Sequence, residues 1–460
     1  MRASFQNILI RTSVLVGLVV HVHPSHAQQP FQATLEGWQD SVLRSIGDRY
    51  RAFGGLYYDR GLFRPLTPDM DGEYILDETT AGFTLVEDSR FYASRYGFRF
   101  YAASINKSRF ITYAHFRTAV PVKGKHVLRI ESVQQEDLRG RHTFLNLGYE
   151  YRVSVTHRIG GAVSVAAYKP DIDVSLHYQY DSNSMGLARV QFTILDVANN
   201  LIFNTLGVDP VLEDTTRSYS SRPILLSVRL SSPIWHNFRA ELVAGHQSRG
   251  SALVQSQATP DASFYWDDSA SYRGLLLEYY ASPAVTIGLS HRYTWNEIVR
   301  GSPASSAYTS DYSSEQWSER TGLFLVGAYK EIQADFWYTF SRSSDVQTGT
   351  NYDQANIPED LNYRRNESMS QIRVRRVPFE SGVLAGIDLR LYNLSENEDA
   401  AIMDNYRRFT HLEKGERSTV TLGYQFRRGS YVEFGGSYDF DGDQKDQRFD
   451  GAFLRMLVLW

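Results

Sequence analysis

From residue 94 to the C-terminus, apolar side chains recur at every second position, and this period constrains the chain more than any other feature. In 145–156, Leu145, Leu147, Tyr149, Tyr151, Val153 and Val155 share one face, while Asn146, Gly148, Glu150, Arg152, Ser154 and Thr156 share the other. In 331–340, Ile332, Ala334, Phe336, Tyr338 and Phe340 oppose Glu331, Gln333, Asp335, Trp337 and Thr339. Segments 171–180 and 284–293 alternate in the same way. A period of two places successive side chains on opposite sides of an extended strand, so each strand has one apolar and one polar face. A helical period occurs only in 38–52, where Trp38, Val42, Leu43, Ile46 and Tyr50 fall on one side.

The connections alternate as well. Arg428-Gly429, Pro378-Phe379, Lys330-Glu331, Ser282-Pro283 and Ser232-Pro233-Ile234 are short turns. Between them lie long polar stretches at 199–219, 248–271, 296–317, 343–366, 393–415 and 441–449. Strand segments start near 94, 109, 125, 143, 161, 171, 187, 220, 236, 272, 284, 318, 332, 368, 380, 416, 430 and 450. The expected fold is therefore all-β: an antiparallel transmembrane barrel of about 18 strands, or about 16 if two N-terminal segments are misread. An even number places both barrel ends on one side of the membrane. The charged polar face and the aromatics near strand ends (Tyr178, Tyr180, Tyr279, Tyr280, Tyr293, Trp295, Tyr329, Tyr338, Tyr438) favour lipid surroundings over a soluble sandwich.

The N-terminus reads as an export signal. Arg2 and Arg11 precede the apolar stretch Thr12 to Val22, and Ser25-His26-Ala27 offers small residues for cleavage after Ala27. The expected organisation is a signal peptide at 1–27, a periplasmic or lumen-plugging segment with a short helix at 28–92, and a barrel at 93–460. Composition excludes several other classes. The chain has no Cys, so it holds no disulfide, thiolate metal site or Cys nucleophile. Its formal charge of −4 does not suit a nucleic-acid binder. With 30 Tyr, 25 Phe and 7 Trp it is neither disordered nor a helical bundle. The basic residues are overwhelmingly Arg, whose forked cation suits fixed hydrogen bonds in a structured interior.

The final segment, Phe453-Leu-Arg-Met-Leu-Val-Leu-Trp460, resembles the C-terminal signal of bacterial outer-membrane β-barrel proteins. That resemblance implies a bacterial outer-membrane location. It also implies that Leu454, Met456, Val458 and Trp460 are read by the barrel-assembly machinery.

With apolar faces toward lipid, the other set lines the lumen. The expected lining cations are Arg95, Arg99, Arg117, Arg129, Arg152, Arg189, Arg229, Arg239, Arg292, Arg373, Arg375, Arg390 and Arg455. The expected anions are Glu131, Glu150, Asp171, Asp173, Glu241, Glu278, Glu331, Asp335, Asp388, Glu433 and Asp439. They serve either as structural cross-strand pairs or as a constriction that selects solutes by charge. The long stretches carry 21 acidic against 10 basic residues, an acidic rim that raises local cation concentration. Asp439, Asp441 and Asp443 share a D-x-D-G-D spacing that can hold Ca²⁺, but it lacks the full twelve-residue loop with a terminal Glu, and an ordinary Asp-Gly turn explains it better, so no metal is expected. No nucleophile elbow, phosphate loop or dinucleotide fingerprint is present, so neither catalysis nor a cofactor is expected. The expected function is a porin-like channel for passive passage of small solutes, in contact with outer-membrane lipids. The alternative is a surface binding or structural protein acting through acidic, aromatic-rich loops. Solute and oligomeric state are left open.

Overall fold

The computed structural model describes residues 56–59, 62–65 and 94–460, apart from 106–108, 138–139, 167–168, 183, 199–214, 257–263, 283, 302–311, 350–360, 397–415 and 440–448. The expected signal peptide and the 38–52 helix lie outside the described residues. Two short strands, β1 (Leu56–Asp59) and β2 (Leu62–Pro65), form a separate antiparallel hairpin.

The rest is one sheet. In chain order it comprises β3 (Tyr96–Ile105), β4 (Arg109–Lys123), β5 (His126–Asp137), β6 (Gly140–Arg152), β7 (His157–Ala166), β8 (Lys169–Ser182) and β9 (Gly186–Ala198). Then follow β10 (Thr215–Ser221), β11 (Ile224–Ser231), β12 (Phe238–Ser256), β13 (Phe264–Ser282), β14 (Val285–Gly301) and β15 (Tyr312–Tyr329). The last six are β16 (Ile332–Gly349), β17 (Leu361–Arg376), β18 (Gly382–Glu396), β19 (Glu416–Arg427), β20 (Ser430–Asp439) and β21 (Phe449–Leu459). Except at β10, every strand of the sheet pairs antiparallel with its neighbours in sequence, β11 joining β9 to β12, and β21 pairs with β3 to close the ring. β10 and β11 are two halves of one barrel strand, both paired with β12, so the barrel has 18 strands. Pro223 separates the halves, because it has no N–H to give to a ladder.

The wall is inside-out relative to a water-soluble protein. Leu176, Leu422 and Phe434 are 63%, 62% and 58% exposed, whereas Glu241, Glu150 and Glu433 are 1%, 2% and 2% exposed. In water this arrangement would waste apolar burial and strand charges. In a bilayer it satisfies both faces, and closure leaves no backbone edge in lipid. Tyr279 and Tyr280 show how strictly the alternation holds. Tyr279 is 38% exposed on the outer surface, while Tyr280 is buried within and its hydroxyl donates to Glu278 at 3.0 Å. Tyr280 therefore leaves the expected outer girdle.

The strands are not of equal length. β12 to β17 run for 16 to 19 residues. Crossing the hydrocarbon takes about 9–11. These six exceed that by several residues at the end away from the short turns, and make a raised wall on one side of the mouth, roughly 15–20 Å tall. Much of 248–271, 296–317 and 343–366, expected as loop, is thus strand. Above the bilayer both faces meet water, so the alternation disappears while the backbone ladder goes on.

The inner surface also carries apolar groups. Leu276 and Phe324 pack with Val326 and Trp337, and Leu384, Tyr431, Leu457 and Leu459 cluster near the short-turn end. The Phe324 ring stacks on Trp337 with centroids 4.7 Å apart. It occupies the space over Gly288, where a Cβ would come within 1.9 Å of it. Gly288→Ala is expected to destabilise the barrel by about 1–3 kcal/mol through overpacking. The urea midpoint of the folded form in micelles measures this, and an unshifted midpoint would show that the ring yields freely.

Candidate functional site: a belt of paired charges inside the barrel

The five short turns named above lie at one end of the barrel, and most of the buried charges lie in the first few residues above that end. Alternation decides which side they face, and antiparallel register decides which partners they meet. Arg373 lies opposite Asp388 and its Nε is 3.5 Å from the carboxylate, which also accepts from Gln371 at 2.5 Å. Arg455 lies opposite Glu433, and its Nε donates to that carboxylate at 2.6 Å. Arg129 donates to Glu150 at 2.9 Å, with Arg158 at 3.8 Å and His177 at 3.9 Å from the same carboxylate. His115 meets Glu131. Arg229 is 3.5 Å from Glu241, and Arg239 lies opposite Glu278. Gln333 donates to Asp335 at 3.1 Å. The result is a ring of opposed charges near the short-turn end. Each is held by a rigid strand and most are drawn into pairs along the wall.

The expected lining residues divide into three groups. Arg99, Arg117, Glu131, Glu150, Asp173, Arg229, Glu241, Glu278, Asp335, Arg373, Arg375, Asp388, Glu433 and Arg455 are buried on the inner wall, and Arg129, Arg189 and Arg239 are half-buried there. Arg95, Arg152 and Glu331 depart from the expectation. Arg95 precedes β3 and is exposed, with its guanidinium over Tyr96 at 5.6 Å. Arg152 ends β6 and is exposed. Glu331 sits in a turn and pairs with Arg376 at 2.9 Å. The alternation assigns these three the correct side, but the strand ends where they lie, so they belong to the rim. Asp171, Arg292 and Arg390 lie in β8, β14 and β18, and their side chains are outside the described residues. His115, Gln371 and Arg158 join the belt without having been singled out in the sequence. His115 follows from the alternation that places Arg117, two residues on. Gln371 becomes recognisable only when register sets it beside Asp388.

Asp439 ends β20 with its side chain undescribed, and Asp441 and Asp443 lie outside the described residues. Among the described residues no group of three or more His, Asp or Glu could hold a metal ion. The Ser154 hydroxyl accepts from the backbone N–H groups of Thr156 and His157, so it shapes the turn. The His157 ring meets the Tyr178 hydroxyl at 2.6 Å rather than a serine. On the outer surface of β21, Leu454, Met456 and Val458 are half-buried and Trp460 is 57% exposed beneath Arg427. Tyr96 and Trp460 exchange backbone hydrogen bonds of 3.3 and 3.0 Å at the seam.

No family model and no curated protein matches the chain. Solved structures similar to it include an outer membrane protein, a siderophore receptor and an iron transporter. A loop-deleted OmpT, an outer membrane protein of Vibrio cholerae, is 9% identical with a TM-score of 0.36, over 79% of this chain and 97% of that one. The siderophore receptor PirA of Pseudomonas aeruginosa is 10% identical with a TM-score of 0.31, over 80% of each chain. The FrpB iron transporter of Neisseria meningitidis is 8% identical with a TM-score of 0.38, over 83% of this chain and 75% of that one. The membrane reading rests on the chain's own surfaces and not on these likenesses.

Proposed function

We propose that this chain is a channel of the bacterial outer membrane that passes small solutes along a charged inner wall. The observation that carries the reading is the ring of opposed charges inside an 18-stranded barrel with an apolar outside. A barrel of 16–18 strands is wide enough for a water-filled lumen. Paired charges with residual hydrogen-bonding capacity suit a hydrated passage better than a dry core. In this reading the belt is the constriction: the half-buried Arg129 faces the passing solute, and Glu150, Arg229, Glu241, Arg373 and Asp388 form the paired layer behind it that holds the wall and sets its field.

Single-channel recording in planar bilayers tests this, on the full chain and on a chain lacking 28–90. Conductance steps are expected, with a cation preference at low salt that fades as salt rises. Charges at the watery mouth are screened over about 8 Å at physiological ionic strength, and those of the inner wall less so. Absence of conductance from both chains would overturn the channel reading. The raised wall of β12 to β17 favours one second reading, a surface that meets a partner. It carries the exposed pair Arg249 and Asp267 at 2.8 Å and the Trp295–Glu315 bond at 2.9 Å. That reading takes over if the barrel inserts without conducting.

A further inference from the structure

Two adjacent hairpins, β5–β6 and β7–β8, carry the same three-residue arrangement on the outer surface next to their short turns. In the first, His126 lies opposite Tyr151, and its Nδ1 meets the Tyr149 hydroxyl at 2.5 Å. In the second, His157 lies opposite Tyr180, and its Nδ1 meets the Tyr178 hydroxyl at 2.6 Å. The ring separations agree as well: 5.9 and 5.1 Å from His126 to Tyr149 and Tyr151, and 5.9 and 5.1 Å from His157 to Tyr178 and Tyr180. Two unrelated stretches of sequence have built the same geometry. Tyr151 lies opposite Ile159, two residues from His157, so the two sets sit side by side with an offset of two residues and form a strip running His, Tyr, His, Tyr across four strands.

The chemistry of the strip is directional. A tyrosine hydroxyl that donates to Nδ1 leaves the ring proton on Nε2. Once the ring is protonated, Nε2 is still a donor. In either state Nε2–H is the hydrogen-bonding group left over, and two strand spacings with a two-residue offset put His126 and His157 about 12 Å apart. Lys125 adds a cation at the foot of the first set, with its ammonium donating to the Val153 carbonyl at 3.2 Å.

The surface directly above the strip is apolar and uncovered. Leu128, Leu147, Ile159 and Leu176 are 45%, 49%, 46% and 63% exposed, each two residues further from the turn than a member of the strip. Donors and a cation below, with acyl-compatible surface continuing above, match an amphipathic molecule lying along the wall with its anionic end at the turn level. We infer that the strip is a binding site for a phospholipid of the periplasmic leaflet. The lipid headgroup spans the two rings, its phosphate accepting from Nε2–H of one histidine and a further headgroup oxygen from that of the other, and its acyl chains lie on Leu128, Leu147, Ile159 and Leu176. This inference rests on the outer-membrane reading proposed above, takes the short turns as the periplasmic end, as short turns are in barrels of this kind, and is independent of conduction.

Full-length protein in detergent micelles, loaded with phosphatidylglycerol or with diacylglycerol of the same acyl chains, tests it by native mass spectrometry of retained lipid. Phosphatidylglycerol retained over diacylglycerol, and lowered about tenfold in H126F/H157F, is the expected result, since hydrogen bonds to a charged group are among the stronger ones. Tyr149→Phe with Tyr178→Phe, which frees the rings to turn, should lower retention by a smaller factor. Equal retention of the two lipids, or retention unchanged in H126F/H157F, overturns the inference. So does loss of the bound lipid to inorganic phosphate alone, which would leave the acyl surface without a role. Heat-modifiable migration and vesicle insertion of the same samples keep the readings apart. A barrel that inserts but shows no lipid preference fails this inference alone, and one that never inserts fails the membrane reading.

Discussion

Deletion of β21 with Trp460 is expected to abolish the assembled barrel. β21 is hydrogen-bonded to β20 on one side and to β3 on the other, from Phe453 opposite Ala103 to Leu459 opposite Gly97. Removing it leaves two strand edges of unpaired N–H and C=O groups in hydrocarbon, where each unsatisfied group costs several kcal/mol. No heat-modifiable species should be recovered from membranes or from refolding into micelles. Trp460→Ser separates closure from recognition. The bonds between Tyr96 and Trp460 are made by backbone atoms and survive the substitution. The lost ring packing and its contact with Arg427 are worth about 1–3 kcal/mol. Refolding in vitro should therefore change little, while outer-membrane yield in cells should fall at least severalfold if the assembly machinery reads this residue. Normal yield in cells would remove Trp460 from that role.

Breaking the Glu433–Arg455 pair should produce the largest effect of any single substitution on the inner wall. Both side chains are almost fully buried, at 3% and 4% exposure, so removing one leaves the other's charge without its partner. R455M is expected to cost about 3–5 kcal/mol, and E433L/R455M together less than R455M alone, because the double replacement leaves no uncompensated charge. Equilibrium urea unfolding in micelles measures both. A double variant worse than the single one would show that the pair contributes net stability beyond mutual compensation. By contrast, R376M, at the exposed turn pair with Glu331, should change stability by about 1 kcal/mol or less.

The sequence by itself determined the architecture, because a membrane strand is specified by local means. Alternation in 145–156 and 331–340 marks each face without reference to any other part of the chain. The Arg428-Gly429 turn ends its strand through backbone preference, with Gly429 at φ of 76°, whereas Lys330 is held at a φ of 52° that its Cβ disfavours. Strand number followed from counting these signals. The side of the wall taken by Arg99, Glu150, Asp335 and Arg373 followed from parity. Tertiary structure alone decided what depends on neighbours distant in sequence. Register brought Gln371 to Asp388 and Arg129 to Glu150, and closure brought β21 to β3 across most of the chain. It alone showed that β12 to β17 run on for 16 to 19 residues, since the ladder continues where the alternation ends. It also moved Arg95, Arg152 and Glu331 to the rim, because parity gives the side of a strand but not the height along it. The matching His–Tyr strips were hidden for the same reason: each unites residues from two strands, and a period of two carries no information about which strand lies opposite.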